Sequence, residues 1–220
     1  MINNTALIVG TVLSEPQYDH SVMDEKFFLI YISSLRKSGV PDELPVIISE
    51  KLINLNVEYL GLRVEVTGSF RSYNLHIKGI NHKRMYIFAD SITKTDQEDS
   101  NKISLTGYLC KDAVYRETPM GRKISDLCMA VHRNINKSDY IPVLLWGRNA
   151  IVIRNMPVGI LLNIVGRIQC RWYQKQLEDG TTEDRCCYEV SAYWMDKLCS
   201  GGVDDAEYGS QDREQGQVLQ

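Results

Sequence analysis

The sequence predicts an all-β chain of two tandem small barrels, and three observations carry that expectation. Apolar residues alternate with period two through most of the 220 residues, the pattern of half-buried strands. A strand-like apolar run beside a Pro occurs twice, in Asp42-Glu43-Leu44-Pro45-Val46-Ile47-Ile48-Ser49-Glu50-Lys51 and in Ser138-Asp139-Tyr140-Ile141-Pro142-Val143-Leu144-Leu145-Trp146-Gly147-Arg148. Each run lies between a pair of glycines, Gly10 and Gly68 or Gly107 and Gly166, separated by 58 and 59 residues. A repeat of that length is a whole small domain written twice.

In the first copy, alternation places strands near Thr5–Leu13, Lys26–Leu35, Leu44–Ser49, Arg63–Tyr73 and Arg84–Ile92. In the second they fall near Lys102–Cys110, Lys123–Arg133, Tyr140–Trp146, Leu161–Tyr173 and Arg185–Trp194. A short helix is expected between the third and fourth strands of each. These helices are Glu50–Leu60, closed by Gly61, and Arg148–Met156, closed by Pro157-Val158-Gly159. Five strands and one short helix per repeat match the OB-fold, a five-stranded Greek-key barrel. The expected domains are residues 1–95 and 102–197. A polar, acidic linker at 96–101 separates them, and an acidic, disordered tail fills 198–220.

The composition, 44% hydrophobic and 24% charged, is that of an ordinary globular protein. No segment approaches the ~20 apolar residues of a membrane-spanning helix, and the N-terminus lacks a basic region before an apolar stretch. A cytoplasmic protein with no membrane association is expected. The six cysteines (Cys110, Cys128, Cys170, Cys186, Cys187 and Cys199) show neither a CxxC pair nor zinc spacing, so reduced, structural thiols are expected. The net charge of −3 is unevenly spread: residues 1–95 sum to zero, 101–197 to +4 and the tail to −4. Only the second repeat has the sign of a polyanion binder. The histidines (His20, His76, His82 and His132) are scattered, and no Gly-rich loop opens a helix. Asp204-Asp205 lies in the tail. The chain is therefore expected to be neither an enzyme nor a holder of a cofactor or metal.

Strand parity sorts the outward faces. In Tyr140–Trp146 the odd positions Ile141, Val143 and Leu145 suit a barrel interior, which turns Tyr140, Pro142, Leu144 and Trp146 outward. Two large rings on an outward face make either a base-stacking platform or part of a subunit interface. In Gly166–Tyr173, Arg167, Gln169, Arg171 and Tyr173 fall on one side, combining phosphate pairing, cation–π capacity and stacking. Arg116, Arg122, Lys123, Arg133 and Arg148 could line the same groove or be solvated loop charges. Trp172 by parity, and Trp194 by its place in the last strand, are expected in a core or an interface.

The second copy resembles the bacterial single-stranded DNA-binding proteins. The likeness runs through Leu105–Asp112, Tyr115–Gly121, Met129–Arg133, Asp139–Gly147 and Val165–Tyr173, covering nearly all of 102–197. It implies base stacking by Tyr140, Trp146 and Tyr173, and phosphate neutralisation by Arg116, Arg133, Arg167 and Arg171. It also implies action in DNA replication, recombination or repair. This chain has Ile135 near where many members carry another stacking ring, and it ends Gln217-Val218-Leu219-Gln220 instead of in an apolar partner-docking tip. Replication or repair partners would reach it through the acidic tail. Two barrels per chain imply a homodimer with four.

In the first copy Glu43 and Ser49 stand for Tyr140 and Trp146, and Ser69 for Arg167. Arg36, Arg71, Tyr73 and Lys51 are expected as counterparts of Arg133, Arg171, Tyr173 and Arg148, so Arg71 and Tyr73 join the candidate single-strand contacts. Phe27 or Tyr31 could supply replacement rings. This barrel is expected to be an assembly module or a weaker site. Two further readings stay open: an accessory replication factor, similar to primosomal proteins, that contacts mainly proteins, and an RNA-binding OB protein, since stacking does not read the 2′-OH.

Overall fold

The computed structural model describes residues 3–77, 80–134, 137–176 and 180–198, and within them the alternating segments pair as strands. The first repeat contains β1 (Asn4–Val12), β2 (Gln17–Val22), β3 (Glu25–Leu35), β4 (Pro41–Ser49), β5 (Arg63–Ile77) and β6 (Ile80–Lys94). The second contains β7 (Ser100–Leu109), β8 (Val114–Glu117), β9 (Lys123–Asn134), β10 (Lys137–Trp146), α1 (Gly147–Ile153), β11 (Leu161–Gln176) and β12 (Thr182–Lys197). In each repeat the first strand pairs with two others of its own barrel: β1 with β3 and β5, β7 with β9 and β11. Together with the parallel pairs β4–β6 and β10–β12, this closes the expected five-stranded barrel twice. The edge strands β2 and β8 escape the sequence reading because their short, largely exposed runs carry no apolar alternation.

The interior is filled by the residues that parity points inward. Ile8, Ile30, Ile32, Leu44, Phe70 and Ile87 fill the first barrel. Leu105, Leu109, Met129, Ile141, Leu145 and Ile164 fill the second. The glycines that frame the repeats mark where backbones cross too closely for a side chain. A Cβ on Gly10 would sit 2.2 Å from the Ser33 carbonyl oxygen, and one on Gly68 2.1 Å from that of Phe88. Gly107 and Gly166 make the same approaches in the second barrel.

Only one of the two expected helices forms. α1 covers Gly147–Ile153, shorter than expected, and buries Ala150 and Ile153. Residues 50–60 form turns instead. The Glu15 carboxylate accepts from the Tyr59 and Leu60 N–H groups, the latter at 2.8 Å, and the Asn54 side chain accepts from the Asn56 N–H. These side chains satisfy locally the donors a helix would have used.

The barrels are fused by their first strands. β1 runs antiparallel to β7, from Asn4 opposite Leu105 to Val9 opposite Ser100, so all twelve strands form one sheet. Two twin asparagines brace this ladder. The Asn4 amide donates to the Phe70 carbonyl and accepts from the Phe70 N–H, while Asn101 clasps Ile168 in the same way. The expected linker shortens to residues 95–99 and is pinned, since Asp99 accepts from Arg63 at 2.8 Å and from the Leu35 N–H at 2.6 Å.

One cysteine expectation is overturned. Cys170 and Cys186 sit diagonally on the β11–β12 ladder with Cα atoms 6.0 Å apart, within disulfide reach, and they are bonded. Cys110, Cys128 and Cys187 are free thiols, and burial with the Cys128 contact pushes Cys110 up to about 11. Ile135, Cys199 and the tail beyond it lie outside the described residues. Among the described residues no helix is long and apolar enough to cross a membrane.

Replacing Asn101 with alanine leaves the Ile168 N–H and C=O unpartnered in a part-buried seam, at a cost of about 1–3 kcal/mol. Asn101→Ala should therefore lower the melting temperature by several degrees in a circular-dichroism melt; an unchanged melt would show that the clasp is dispensable.

Candidate nucleic-acid interface

The register of β8-β9-β10-β12-β11 fixes the outer face of the second barrel. Val114, Asp126, Leu144, Ser191 and Arg167 lie in one row across it, with Arg116, Ile124 and Trp146 in the next. Toward the other end, Tyr140 pairs with Ala130 and Arg171 with Cys187. Leu144, between β9 and β12 in this row, is buried. Trp146 is 36% exposed, and its Nε1 donates to the Ser191 hydroxyl at 3.0 Å, which fixes the edge of the indole. Tyr140 is 51% exposed and Tyr173 42%, the latter on the arm where β11 and β12 run on past barrel closure.

Between the rings runs a polar chain. Arg167 donates to Gln169 Oε1 at 2.9 Å, Gln169 Nε2 donates to Glu189 Oε1 at 2.9 Å, and Arg171 Nε lies 3.3 Å from Glu189 Oε2. Gln169 and Glu189 are buried, so the two arginines are held by an acceptor set that water does not reach. Burial lowers the Arg167 pKa and nearby Arg36 lowers it further, against the opposing pull of Asp42.

The remaining expected residues separate by environment. Arg116 is ion-paired with Asp126 at 2.7 Å. Arg133 meets Asp139, with Nε 3.0 Å from Oδ2, and donates to the Ser72 carbonyl at 3.1 Å, which places it on the junction with the first barrel. Arg122, in the turn after β8, and Arg148, at the start of α1, are exposed and have no ion pair among the described residues. Arg71 stacks over the Phe88 ring at 4.7 Å, and Tyr73 is exposed beside it on β5. Arg71, Tyr73 and Arg133 thus gather where the β5–β6 arm meets β10, apart from Trp146 and Arg148.

One residue at that junction has no sequence signal. Lys83, from the first barrel, donates its ammonium to the Tyr140 carbonyl and brings a cation to the foot of the outermost ring. Trp172, expected in a core or an interface, stands 69% exposed, because β11 at that point has left the barrel and its inward side faces no interior. Trp194 is likewise exposed and outside the core.

The first barrel keeps the geometry but moves the rings. Ser49 pairs with Phe27 as Trp146 pairs with Ile124, and Phe88 occupies the ladder position of Ser191. A ring lost from β4 is thus replaced by rings on β3 and β6. His20 stacks on Phe27 at 4.9 Å, Phe27 lies 5.4 Å from Phe88, and Arg71 covers Phe88. These rings take their stacking partners from their own chain. Ser49 and Lys51 both bind Glu25. The bulges at Gly68 and Gly166 also correct the expected pairing of the repeats. Counting from them, Arg71 corresponds to Gln169 and Tyr73 to Arg171, not to Arg171 and Tyr173. Among the described residues no three His, Cys, Asp or Glu side chains cluster as a metal site.

Known proteins match this architecture. The model of the "Single-strand binding protein family" matches residues 100–195, which span β7 to β12. A single-stranded DNA-binding protein of Clostridium tetani is 39% identical over 114 residues, 46% of this chain and 76% of that protein. Single-stranded DNA-binding protein 3 of Clostridium acetobutylicum is 38% identical over 88 residues, 37% of this chain and 60% of that one. The crystal structure of the wild-type single-stranded DNA binding protein from Thermus aquaticus superposes with a TM-score of 0.75 at 18% identity. It covers 92% of this chain and 96% of its own, so the shared fold extends over both repeats. With that fold, and with 39% identity over three quarters of the Clostridium tetani protein, the chain belongs to the single-strand binding protein family.

Proposed function

We propose that the chain binds single-stranded DNA without sequence preference, in replication, recombination or repair, with the strand laid along the outer face of the second barrel. The observation that carries this is the indole of Trp146, anchored at its edge by Ser191 yet partly exposed, on one face with Tyr140 and the arginine-bearing β11. Every base offers a π-face, so a fixed ring can stack any of them, worth roughly 1–3 kcal/mol per base. Arg122 and Arg148 are free to meet phosphates, whereas Arg116, Arg133, Arg167 and Arg171 would share theirs with a carboxylate or an amide already in place. The self-covered rings of the first barrel favour an assembly role for its outer face.

Titrating the protein with oligo-dT should give saturable tryptophan quenching that duplex DNA does not. A matched RNA oligomer would test the RNA reading. Trp146→Ala should weaken binding roughly 5- to 100-fold, the loss of one stacked base, while Ser49→Ala should leave it unchanged. Equal effects of the two, or no quenching by any single strand, would reject the proposal.

Four barrels per assembly would follow from a homodimer. Trp194 pairs with Val165 and Tyr108 with Leu161 on the outer side of the β7-β11-β12 sheet, with Trp194 and Tyr108 exposed. Light scattering after gel filtration should give twice the chain mass for the native protein and less for Trp194→Glu. A monomeric native protein would overturn the dimer. Partner recruitment would fall to the acidic tail.

A further inference from the structure

The fusion of the barrels creates two related grooves along the seam, and their chemistry differs. The larger, about 420 Å³ in its twin but about 610 Å³ here, runs between β3–β4 of the first barrel and β7–β11 of the second. In both grooves an Arg–Asp pair of one barrel faces the asparagine clasp of the other: Arg36–Asp42 with Asn101, and Arg133–Asp139 with Asn4. The linings diverge at five equivalent positions, and three of the exchanges favour an anion in the larger groove. Lys102 replaces Thr5, Arg167 replaces Ser69, and at the two β-bulges Tyr193 replaces Asp90. Each of these three adds a cation or a ring to the larger groove or removes an acid from it, whereas Leu35 stands where the twin has His132, Ser100 stands for Asn3, and Arg71 lines the twin alone.

That groove also holds unmet hydrogen-bonding capacity. The Ser34 hydroxyl, in a residue 1% exposed, and the Arg167 Nε are both buried without a hydrogen-bond partner, and both line it. The acids present are already engaged: Asp42 holds Arg36 and lies 3.7 Å from the Arg167 Nε, and Asp99 holds Arg63 and the Leu35 N–H. Lys37 and Lys102 have no ion pair among the described residues, and Tyr193 stands 63% exposed at the rim. Free lysines beside the Arg167 guanidinium, an unpartnered buried hydroxyl and a rim ring together suit a phosphate carrying a base.

We infer that the larger seam groove binds one phosphodiester of the single strand, between Arg167 and Lys102, with the adjoining base against Tyr193. This inference rests on the single-strand reading of the second barrel and extends it. The strand leaves that barrel's outer face across one seam only, and the first barrel contributes through Ser34 and Lys37 in the groove, not through its covered rings.

The test uses the full chain, with oligo-dT titrated at several salt concentrations. Lys102→Thr should weaken binding and reduce the slope of log affinity against log salt by about 0.7, the share of one phosphate on a single strand. Tyr193→Ala should cost roughly ten-fold through lost stacking. Changing Thr5 to alanine in the twin groove should do nothing. If Lys102→Thr and Tyr193→Ala keep native affinity and slope while Trp146→Ala still weakens binding, the groove inference fails and the single-strand reading stands. If the native chain does not bind oligo-dT, that reading itself fails. A third arm titrates dTMP: binding of the mononucleotide abolished by Lys102→Thr, with oligo-dT unaffected, would mark the groove as a free-nucleotide site and overturn the inference.

Discussion

The antiparallel ladder between β1 and β7 is the constraint on which the rest of this molecule depends. Because each of these strands also closes its own barrel, pairing them leaves the barrels no freedom to rotate against each other. The pairing is local in geometry but long-range in sequence, so it must be held by more than backbone bonds. Asn4 and Asn101 supply that hold by reaching from the ladder into the next strand of their own barrels. Asp139 extends it across the seam by accepting from the Ser72 N–H while it binds Arg133. The arm of the first barrel is thereby laid against Tyr140 of the second.

That arrangement changes what the arginines of the second barrel can do. A free surface cation would meet a phosphate after losing both water and side-chain freedom. Arg171 and Arg167 instead stand against buried Glu189 and Gln169, and Arg116 against Asp126. Their guanidinium groups are held by these partners in the chain alone, which would lower the entropy lost on binding a strand. On the proposed strand path the same partners would reduce the net charge presented, so these residues would contribute more to position than to long-range attraction. Arg122, Arg148, Lys37 and Lys102 carry the unshared charge.

Much of this was legible in the residues themselves. Period-two alternation located the barrel strands, and the framing glycines located the close crossings that close each barrel, because only glycine fits where backbone meets a carbonyl at that distance. Parity turned Tyr140 and Trp146 outward correctly. It failed for Trp172 because alternation has no means of showing where a strand leaves its barrel. The helix expected at residues 50–60 was lost to Glu15, a residue far away in sequence. The disulfide between Cys170 and Cys186 depends on strand register, and the contact of Lys83 with Tyr140 on the fusion of two domains. Neither is written in local pattern. Counting from the bulges also moved Arg71 and Tyr73 to different partners, a shift that spacing alone did not resolve.

The central claim is that a single strand follows the rings of the second barrel and crosses one seam. Photo-crosslinking of halogenated oligo-dT to the native chain, with the modified residues identified by mass spectrometry, tests it most directly. The account predicts crosslinks at Trp146, Tyr140 and Tyr173, with Tyr193 as the seam contact. Crosslinks confined to His20, Phe27 and Phe88 of the first barrel, with none on the second, would contradict it.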